Sequence, residues 1–360
     1  MSSQRHEQNT GTRDVSDAHR FDEQRLVAYL AKHIDGFQGP VSVRQFKGGQ
    51  SNPTYRIDAE SGRYVLRRKP PGKLLKSAHA VEREYRVISA LYGVDFPVPK
   101  PLLLCEDDAV IGTTFFVMEF VEGRIFWDLD LPGLDPAERT AIYDNVNATI
   151  ARLHNFDYRE LGLEDFGKPG NYFARQISRW SGQYRASETQ SVESMDALLD
   201  WLPDNIPDDD SASIVHGDYR LDNMILHPTE PRVIAVLDWE LSTIGHPLAD
   251  FTYHLMSWQM PKIGIGSIGL SGLPLTDLGI PEEDEYLEWY CRRTGRDAGI
   301  PHRNFYSAFN LFRLAAILQG IAGRVRDGTA ASAHAAQAEQ SVRPLADLGW
   351  RFASASRPPA

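Results

Sequence analysis

The stretch IVHGDYRLDNMIL, residues 214–226, and the later segment VIAVLDWE, residues 233–240, decide the fold of this chain. Each is a short apolar run that ends in polar side chains. Such runs are typical of buried strands, and a rigid scaffold can hold polar groups at strand ends for chemistry. The polar side chains offered by the two segments are His216, Asp218, Asp222, Asn223, Asp238 and Glu240.

Most of these side chains are oxygen donors. Carboxylates and an amide oxygen suit Mg²⁺ rather than zinc. A further carboxylate near such an ion could accept a proton from a hydroxyl group. The combination indicates phosphoryl transfer, which requires the remainder of the chain to supply a nucleotide site.

The composition favours an ordinary folded protein. Of 360 residues, 42% are hydrophobic, which is enough for a sizeable core, and we expect two lobes. The formal net charge of −11 argues against a nucleic-acid surface. Cys105 and Cys291 are far apart in the sequence, so neither a disulfide framework nor a zinc site is expected.

The first twenty residues are polar and lack the apolar region of a signal peptide. No uninterrupted run of about 18 apolar residues is present, which argues against a membrane span. We therefore expect a cytoplasmic protein without a membrane partner. The sequence does not indicate the oligomeric state.

The order of the predicted elements gives the fold class. Residues 1–20 and 354–360 are predicted to be disordered. Residues 21–122 alternate short β-rich runs with turn residues and contain one main helix after an opening helix, whereas residues 123–353 are mostly helical. The predicted fold is α+β, with a small antiparallel sheet in an N-lobe and a larger helical C-lobe. Helices of the C-lobe are expected near residues 136–154, 172–184, 194–202, 247–259, 282–293, 304–325 and 333–348.

A glycine loop lies between two predicted strands of the N-lobe. Gly48 and Gly49 allow backbone N–H groups to approach a ligand closely, and such turns can bind phosphate oxygens. Ser51 and Asn52 follow in the same loop. An ordinary hairpin turn is the competing interpretation.

The strand YVLRRK, residues 64–69, supplies the cations of the N-lobe. Alternation places Arg67 and Lys69 on one face and Arg68 on the other. A cation beneath the glycine loop could bind nucleotide phosphates, and a solvated edge strand is the alternative.

Two glutamates on the following helix are possible partners for that cation. Glu82 and Glu84 are two residues apart and therefore point to different faces, so either could anchor the strand cation. Further on, TFFVMEFVEG, residues 114–123, ends in a Glu-Gly turn whose backbone suits an adenine ring or is a plain connector.

A family resemblance emerges at this point. HGDYRLDN resembles the HGDxxxxN loop of the aminoglycoside phosphotransferase and choline kinase superfamily, and LDWE resembles its metal-binding aspartate segment. YVLR, VEREY, PVPK, VMEFVEG and GHPLAD extend the resemblance, in the right order, from Phe46 to Asp250. The chain is most similar to the subgroup that animals fuse to acyl-CoA dehydrogenases. The implied fold is the two-lobed protein-kinase-like fold, with ATP held between the lobes.

The resemblance also implies roles for individual residues. Asp218 would be the catalytic base, and Asn223 and Asp238 would hold Mg²⁺ on the ATP phosphates. Arg67, paired with Glu84, would replace the phosphate-binding lysine of the aminoglycoside kinases, with Lys69 as the alternative. Implied hinge contacts to adenine are the Glu119 carbonyl, the Val121 amide and the side chain of Met118.

The other polar residues of these motifs have structural interpretations. We expect His216 to brace the catalytic loop and Asp222 to make a structural hydrogen bond. Asp250 is expected to cap a helix and stabilise that loop. His154 is expected to be a satisfied core histidine, whereas Glu240 either assists the metal through water or is structural.

The leading interpretation is a small-molecule kinase that transfers the γ-phosphoryl group of ATP to a hydroxyl. Candidate acceptors are an aminoglycoside, a choline-like or sugar alcohol, and a hydroxyacyl-CoA. A catalytically silent nucleotide-binding module is the alternative, disfavoured because Asp218, Asn223 and Asp238 are all present. The sequence does not distinguish ATP from GTP.

The GxGxxG pattern at residues 264–269 matches that of dinucleotide sites. It lacks a preceding strand and is therefore interpreted as a loop.

Overall fold

The computed structural model describes residues 10–47, 52–70, 79–261, 269–326 and 335–355. Gly48, Gly49 and Ser51 of the glycine loop, and most of the GxGxxG segment, lie outside the described residues. The chain divides into two compact units that interleave along the sequence. The first consists of Met1–Gly133, Arg159–Phe166 and Arg220–Ser242, and the second of Leu134–Tyr158, Gly167–Tyr219 and Thr243–Ala360.

The first unit is built on an antiparallel sheet of six strands in the order β1-β2-β3-β4-β6-β5. The strands are β1 Thr12–Arg13, β2 Val41–Phe46, β3 Thr54–Ala59, β4 Gly62–Arg68, β5 Pro101–Cys105 and β6 Phe115–Glu119. Its helices are α1 Glu23–His33, α2 Val81–Tyr92 and the short α3 Asp108–Ile111. The predicted sheet with one main helix is therefore confirmed.

The sequence explains why these elements form. The Asp22 side chain accepts a hydrogen bond from the Arg25 amide and caps α1. Alternation along β3 buries Tyr55 and Ile57 against the apolar face of α1. The core of the first unit therefore lies between that helix and one face of the sheet.

A small hairpin of β8 Met224–Leu226 and β9 Val233–Val236 completes the first unit. Leu226 also forms an antiparallel bridge with Arg124, just after the sheet ends. Gly123 lies so close to this strand that a Cβ atom there would be 2.2 Å from the Leu226 carbonyl oxygen. The close approach requires glycine and fixes the hairpin beside the end of the sheet.

The second unit is mostly helical, as predicted. Its helices are α4 Pro136–Asn155, α5 Tyr172–Ser187, α6 Glu193–Asp204, α7 Pro247–Gln259, α8 Leu275–Leu278, α9 Glu283–Arg293, α10 Arg303–Arg326 and α11 Ala335–Ala355. Two short strands, β7 Ser213–Val215 and β10 Thr243–Gly245, pair antiparallel in the same unit. Asp135 caps α4 and Pro136 occupies its first turn, where proline is well tolerated.

One described helix, α10, is long and apolar enough to cross a membrane by length and composition alone. Its apolar window is 72% buried within the protein. A core helix of this length meets the same test, and α10 packs against α5, α6, α7 and α11 of its own unit. It is therefore explained as the central core helix of the second unit.

Both terminal segments were predicted to be disordered, but parts of them are ordered where the structure describes them. β1 pairs with β2, and the Tyr55 hydroxyl donates to the His19 carbonyl oxygen, so part of the polar N-terminal segment joins the sheet edge. At the other end, α11 continues to Ala355. Backbone pairing and one tyrosine contact, which composition does not reveal, order residues that look unstructured in the sequence.

We predict that Gly123→Ala lowers the free energy of unfolding by about 1–3 kcal/mol, because the added methyl must displace the Leu226 backbone. Denaturant unfolding measures the change. Gly182→Ala is the matched control, since that glycine lies within α5 and a Cβ there meets nothing within 4 Å. The control should raise the free energy of unfolding by about 0.5–1 kcal/mol. Equal effects of the two substitutions would contradict the close approach.

Candidate active site

The β8–β9 hairpin places the two predicted metal ligands side by side. Asn223 immediately precedes β8, and Asp238 follows β9 after Leu237. Met224 pairs with Val236, and the Leu237 amide donates to the Asn223 carbonyl oxygen at 2.8 Å. The antiparallel register therefore brings both residues to the same end of the hairpin.

Asp238 has an unusual backbone conformation. Its φ of 65° and ψ of 60° lie in the left-handed region, which residues other than glycine seldom adopt, although aspartate tolerates it better than most. The turn ends the strand and begins a short 3₁₀ segment, Trp239–Leu241, whose Trp239 ring is buried and packs edge-on against Phe96. The strained turn is thus held in place by an anchored aromatic ring.

Arg67 is the centre of a cluster of charges. Its Nε lies 2.8 Å from the Glu84 carboxylate, and its NH2 lies 2.6 Å from Asp238 Oδ1 and 3.4 Å from Glu240 Oε2. The side chains of Arg67 and Glu84 are 10% and 2% exposed, whereas Asp238 is 34% exposed. One buried guanidinium therefore contacts three carboxylates, of which the outermost is a predicted metal ligand.

Burial and the neighbouring charges shift the pKa values of Glu84 and Arg67. Burial raises the pKa of Glu84 to about 7; Arg67 opposes the rise, and the neighbouring carboxylates Asp238 and Glu240 add to it. Burial disfavours the charged form of Arg67, but the three carboxylates outweigh it and raise the pKa of the guanidinium. Three carboxyl groups share one guanidinium, so the cluster still offers negative charge to a cation when Glu84 is partly protonated.

The side chain of Asn52 extends this cluster. Its amide donates to Glu84 Oε1 at 2.9 Å and to Glu240 Oε2 at 3.4 Å, and its oxygen lies 3.0 Å from His79 Nδ1. Asn52 is fully buried. It was predicted to bind the nucleotide; the structure places its side chain on the two glutamates, which satisfy the hydrogen bonds of the buried amide.

The two strand cations have different partners. Lys69 Nζ lies 2.8 Å from the Glu82 carboxylate, in a half-buried pair separate from the Arg67–Glu84 pair. Each helix glutamate therefore binds one cation, and neither is merely solvent-facing. Arg67 is the cation that contacts the metal-ligand candidate.

The residues of the hinge lie at the end of β6. Met118 is buried and pairs with Val65, while Glu119 pairs with Tyr64 and is exposed. Val121, half-buried, follows after the strand has ended. The backbone of 119–121 thus lies at the end of the strand.

The donor set fits Mg²⁺ bound together with nucleotide phosphates. Within the described ranges, no group of three or more His, Cys, Asp and Glu side chains could hold a metal ion. Mg²⁺, however, commonly uses one or two carboxylates and completes its octahedron with phosphate oxygens and water. Asp238 and Asn223 supply oxygen donors of that kind beside an excess of negative charge, so the residues fit.

The loop with Asp218 is held by Asp250, in the second unit. Asp250 Oδ2 accepts from the His216 amide at 2.7 Å, and Oδ1 accepts from the Gly217 amide at 2.8 Å. Gly217 has φ of 86°, which favours glycine at the turn. The Asp218 amide in turn donates to His216 Nδ1 at 3.2 Å, which confirms the bracing role predicted for this histidine.

Asp250 stabilises the loop as predicted, but the expected helix cap is wrong. His246 caps α7 by accepting from the Leu248 amide, because the helix begins before Asp250. Burial opposes ionisation of Asp250, yet the hydrogen bond with His154 and the nearby His216 lower its pKa. His154 also lies 2.7 Å from the Tyr290 hydroxyl, so it is the satisfied core histidine that we expected.

Asp222 and Glu240 make structural contacts. Asp222 pairs with Arg220 at 2.9 Å, which agrees with its predicted structural role. Glu240 binds Arg67 and Asn52 as described above. Two further residues, Tyr253 and Arg313, contact the catalytic loop and were not predicted. The spacing of Tyr253, three residues after Asp250 on one helix, was the available signal, whereas nothing near Arg313 in the sequence pointed to the loop.

Comparisons with known proteins show the family of this chain. Residues 42–265 match the model of the phosphotransferase enzyme family, APH. The chain is 46% identical over 346 residues to acyl-CoA dehydrogenase family member 11 of Rattus norvegicus, covering 95% of this chain and 44% of the relative. It therefore spans less than half the length of that relative.

Two solved structures have folds similar to that of this chain. A protein of Ralstonia eutropha JMP134, provisionally assigned as an aminoglycoside phosphotransferase, is 55% identical with a TM-score of 0.86, covering 94% of this chain and all of that one. A thermostable aminoglycoside phosphotransferase APH(4)-Ia, solved as a ternary complex with ADP and hygromycin B, is 16% identical with a TM-score of 0.59, covering 94% and 99%. The latter likeness concerns the fold alone, and it confirms the two-part α+β architecture. The chain belongs to the APH phosphotransferase enzyme family.

Proposed function

We propose that this chain is a kinase that transfers the γ-phosphoryl group of ATP to a hydroxyl group of a small molecule. The observation that supports this most is the cluster joining Arg67 to Glu84 and to the metal-ligand candidate Asp238. A buried cation fixed by one carboxylate and placed beside another is the arrangement that a nucleotide-phosphate site requires.

On the donor side, Arg67 would bind the phosphate oxygens while Glu84 keeps its guanidinium oriented. Arginine offers a planar fork that binds phosphate through two hydrogen bonds, so it can replace lysine in this role. Asn223 and Asp238 would hold Mg²⁺, which when bound neutralises charge on the phosphates. The backbone at Glu119 and Val121 and the side chain of Met118 would contact the adenine.

On the acceptor side, Asp218 would orient the attacking hydroxyl and accept its proton. The carboxylate is fixed by a hydrogen bond from the Tyr253 hydroxyl and by the bracing of its own loop. Little covalent chemistry is asked of the protein in phosphoryl transfer, so positioning of this kind accounts for much of the rate.

The acceptor class is proposed from the relatives. The APH(4)-Ia structure contains hygromycin B, which supports aminoglycosides and other polyols as candidates. The similarity to an acyl-CoA dehydrogenase family member supports a hydroxyacyl-CoA, whose hydroxyl would be phosphorylated. Choline-like and sugar alcohols complete the panel. We further propose that the chain acts in the cytoplasm, without a membrane or nucleic-acid partner.

A silent nucleotide-binding module is the second candidate. The contact of 2.6 Å between Arg67 and Asp238 favours this second candidate, because the arginine occupies the carboxylate that a metal ion would use. In an active kinase, nucleotide binding would replace the Arg67–Asp238 contact with a contact between Arg67 and a phosphate oxygen, which would leave Asp238 for the metal. In the silent module the Arg67–Asp238 contact would persist.

We predict that MgATP raises the melting temperature of the wild-type chain by several degrees, because a ligand that binds only the folded state stabilises it. Asp238→Asn should abolish most of this shift, since one metal ligand loses its charge. Asp58→Asn is the control, as this aspartate pairs with Arg56 on the sheet and should keep the full shift. A full shift with Asp238→Asn would overturn the metal assignment.

We predict that Asp218→Asn lowers the rate of acceptor-dependent ADP release by about 10²–10⁴-fold, because an amide cannot accept the hydroxyl proton. The assay is ADP release across a panel of an aminoglycoside, choline, a sugar alcohol and a hydroxyacyl-CoA. Asp196→Asn, which loses only a pair with Arg185, is the control and should retain activity. Undiminished turnover by Asp218→Asn would contradict its role as the base.

We predict that Arg67→Met raises the KM for ATP and lowers the free energy of unfolding by about 3–5 kcal/mol, because Glu84 is left buried without its partner. In the double variant Arg67→Met, Glu84→Gln the uncompensated charge is gone, so part of the stability should return while ATP binding does not. If the double variant recovers ATP affinity as well, Arg67 does not bind the phosphates.

A further inference from the structure

Tyr253 contacts the proposed base directly. Its hydroxyl donates to Asp218 Oδ1 at 2.8 Å. Tyr253 lies on α7, three residues after Asp250, so the two side chains are on the same face of one helix. One helix therefore holds the amides of the loop through Asp250 and the carboxylate through Tyr253.

Arg313 contacts the same loop from α10. It is 7% exposed and donates from NH2 to the Gly217 carbonyl oxygen at 2.9 Å. Its guanidinium also lies 5.3 Å from the centre of the Tyr253 ring, within range of a cation–π interaction. With Asp250 on the Gly217 amide, both peptide groups that flank the α-carbon of Gly217 are held.

The two helices are themselves tied together at this point. Asn310, three residues before Arg313 on α10, is fully buried and donates to the Ala249 carbonyl oxygen at 3.1 Å and to Thr252 Oγ1 at 2.9 Å. Both acceptors are neighbours of Asp250 and Tyr253 in the sequence. The register of α10 on α7 is therefore fixed next to the residues that reach the loop.

The charge of Arg313 is not explained by an ion pair. Among the described residues no carboxylate lies within ion-pair distance of Arg313, and its Nε is buried without a hydrogen-bond partner. A buried guanidinium that serves packing alone is costly, since its desolvation is not offset by an opposite charge. Arg313 binds the Gly217 carbonyl oxygen, just before Asp218, and lies over the Tyr253 ring, so its charge can orient the loop.

We propose that Tyr253 and Arg313 are positioning residues for the base: Tyr253 fixes the rotation of the Asp218 carboxylate, and Arg313 fixes Tyr253 and the Gly217 peptide. This inference rests on the proposed function, in which Asp218 receives the proton of the acceptor hydroxyl. Both residues would act through Asp218 and its loop, so their effects should appear in turnover rather than in nucleotide binding.

The test compares variants with the acceptor that supports the fastest ADP release by the wild type. Tyr253→Phe, which removes one oxygen, should lower kcat about 10-fold and leave the KM for ATP and the MgATP-induced melting shift unchanged. Arg313→Met should lower kcat at least as much, and Arg313→Lys should recover part of the loss. Tyr184→Phe is the matched control, because that buried hydroxyl has no hydrogen-bond partner in the described part of the chain, and its kcat should not change.

A second measurement keeps the inference testable if no acceptor in the panel is phosphorylated. In a double-mutant cycle of melting temperatures, Tyr253→Phe and Asp218→Ala should be non-additive, because each removes the same hydrogen bond. The pair Tyr184→Phe and Asp218→Ala should be additive. Absence of any turnover by the wild type would count against the proposed function alone. Additive effects for Tyr253 and Asp218, or a Tyr253→Phe variant with wild-type kcat, would overturn the positioning role.

Discussion

The ion-pair cluster around Arg67 is the interaction on which the account of the donor site depends. A guanidinium with 10% of its side chain exposed is stable inside the first unit only because carboxylates surround it. Glu84 supplies the buried partner, and Asn52 satisfies the remaining oxygen of that glutamate. The third group, Asp238, is more exposed and therefore available to a ligand. The same contacts that stabilise the unit also place a cation beside a carboxylate, as the proposed nucleotide site requires.

A second set of contacts orders the loop of the proposed base. Asp250 accepts two backbone hydrogen bonds from this loop and is itself held by His154. The stretch HGDYRLDN passes from the second compact unit to the first between Tyr219 and Arg220. Asp218 therefore belongs to the second unit, and Asn223 and Asp238 belong to the first.

Much of this could be predicted from the sequence, because its signals are local. Helix caps such as Asp22 and Asp135 and alternation along β3 depend on neighbouring residues, and the structure contains each of them. The pairing of Arg67 with Glu84 was implied only by family resemblance. Periodicity alone placed Arg67 and Lys69 on one face and could not assign Glu82 or Glu84 to either.

The remaining features depend on contacts between distant parts of the chain. Asn52 turns its side chain to Glu84 and Glu240, which are 32 and 188 residues away, and no local pattern indicates this. Arg313 reaches Gly217 across 96 residues for the same reason. The order of residues 12–19 likewise follows from pairing with β2 and from contact with Tyr55, not from composition.

The central claim is that Arg67 binds the nucleotide phosphates and that Asn223 and Asp238 bind the metal. The most direct measurement is a crystal structure of the chain with Mg²⁺ and a non-hydrolysable ATP analogue. The account predicts that Arg67 keeps its contact with Glu84 and exchanges Asp238 for a phosphate oxygen, while Asp238 and Asn223 ligate the metal. A nucleotide bound elsewhere, or an Arg67–Asp238 contact that persists with no metal at Asp238, would contradict it.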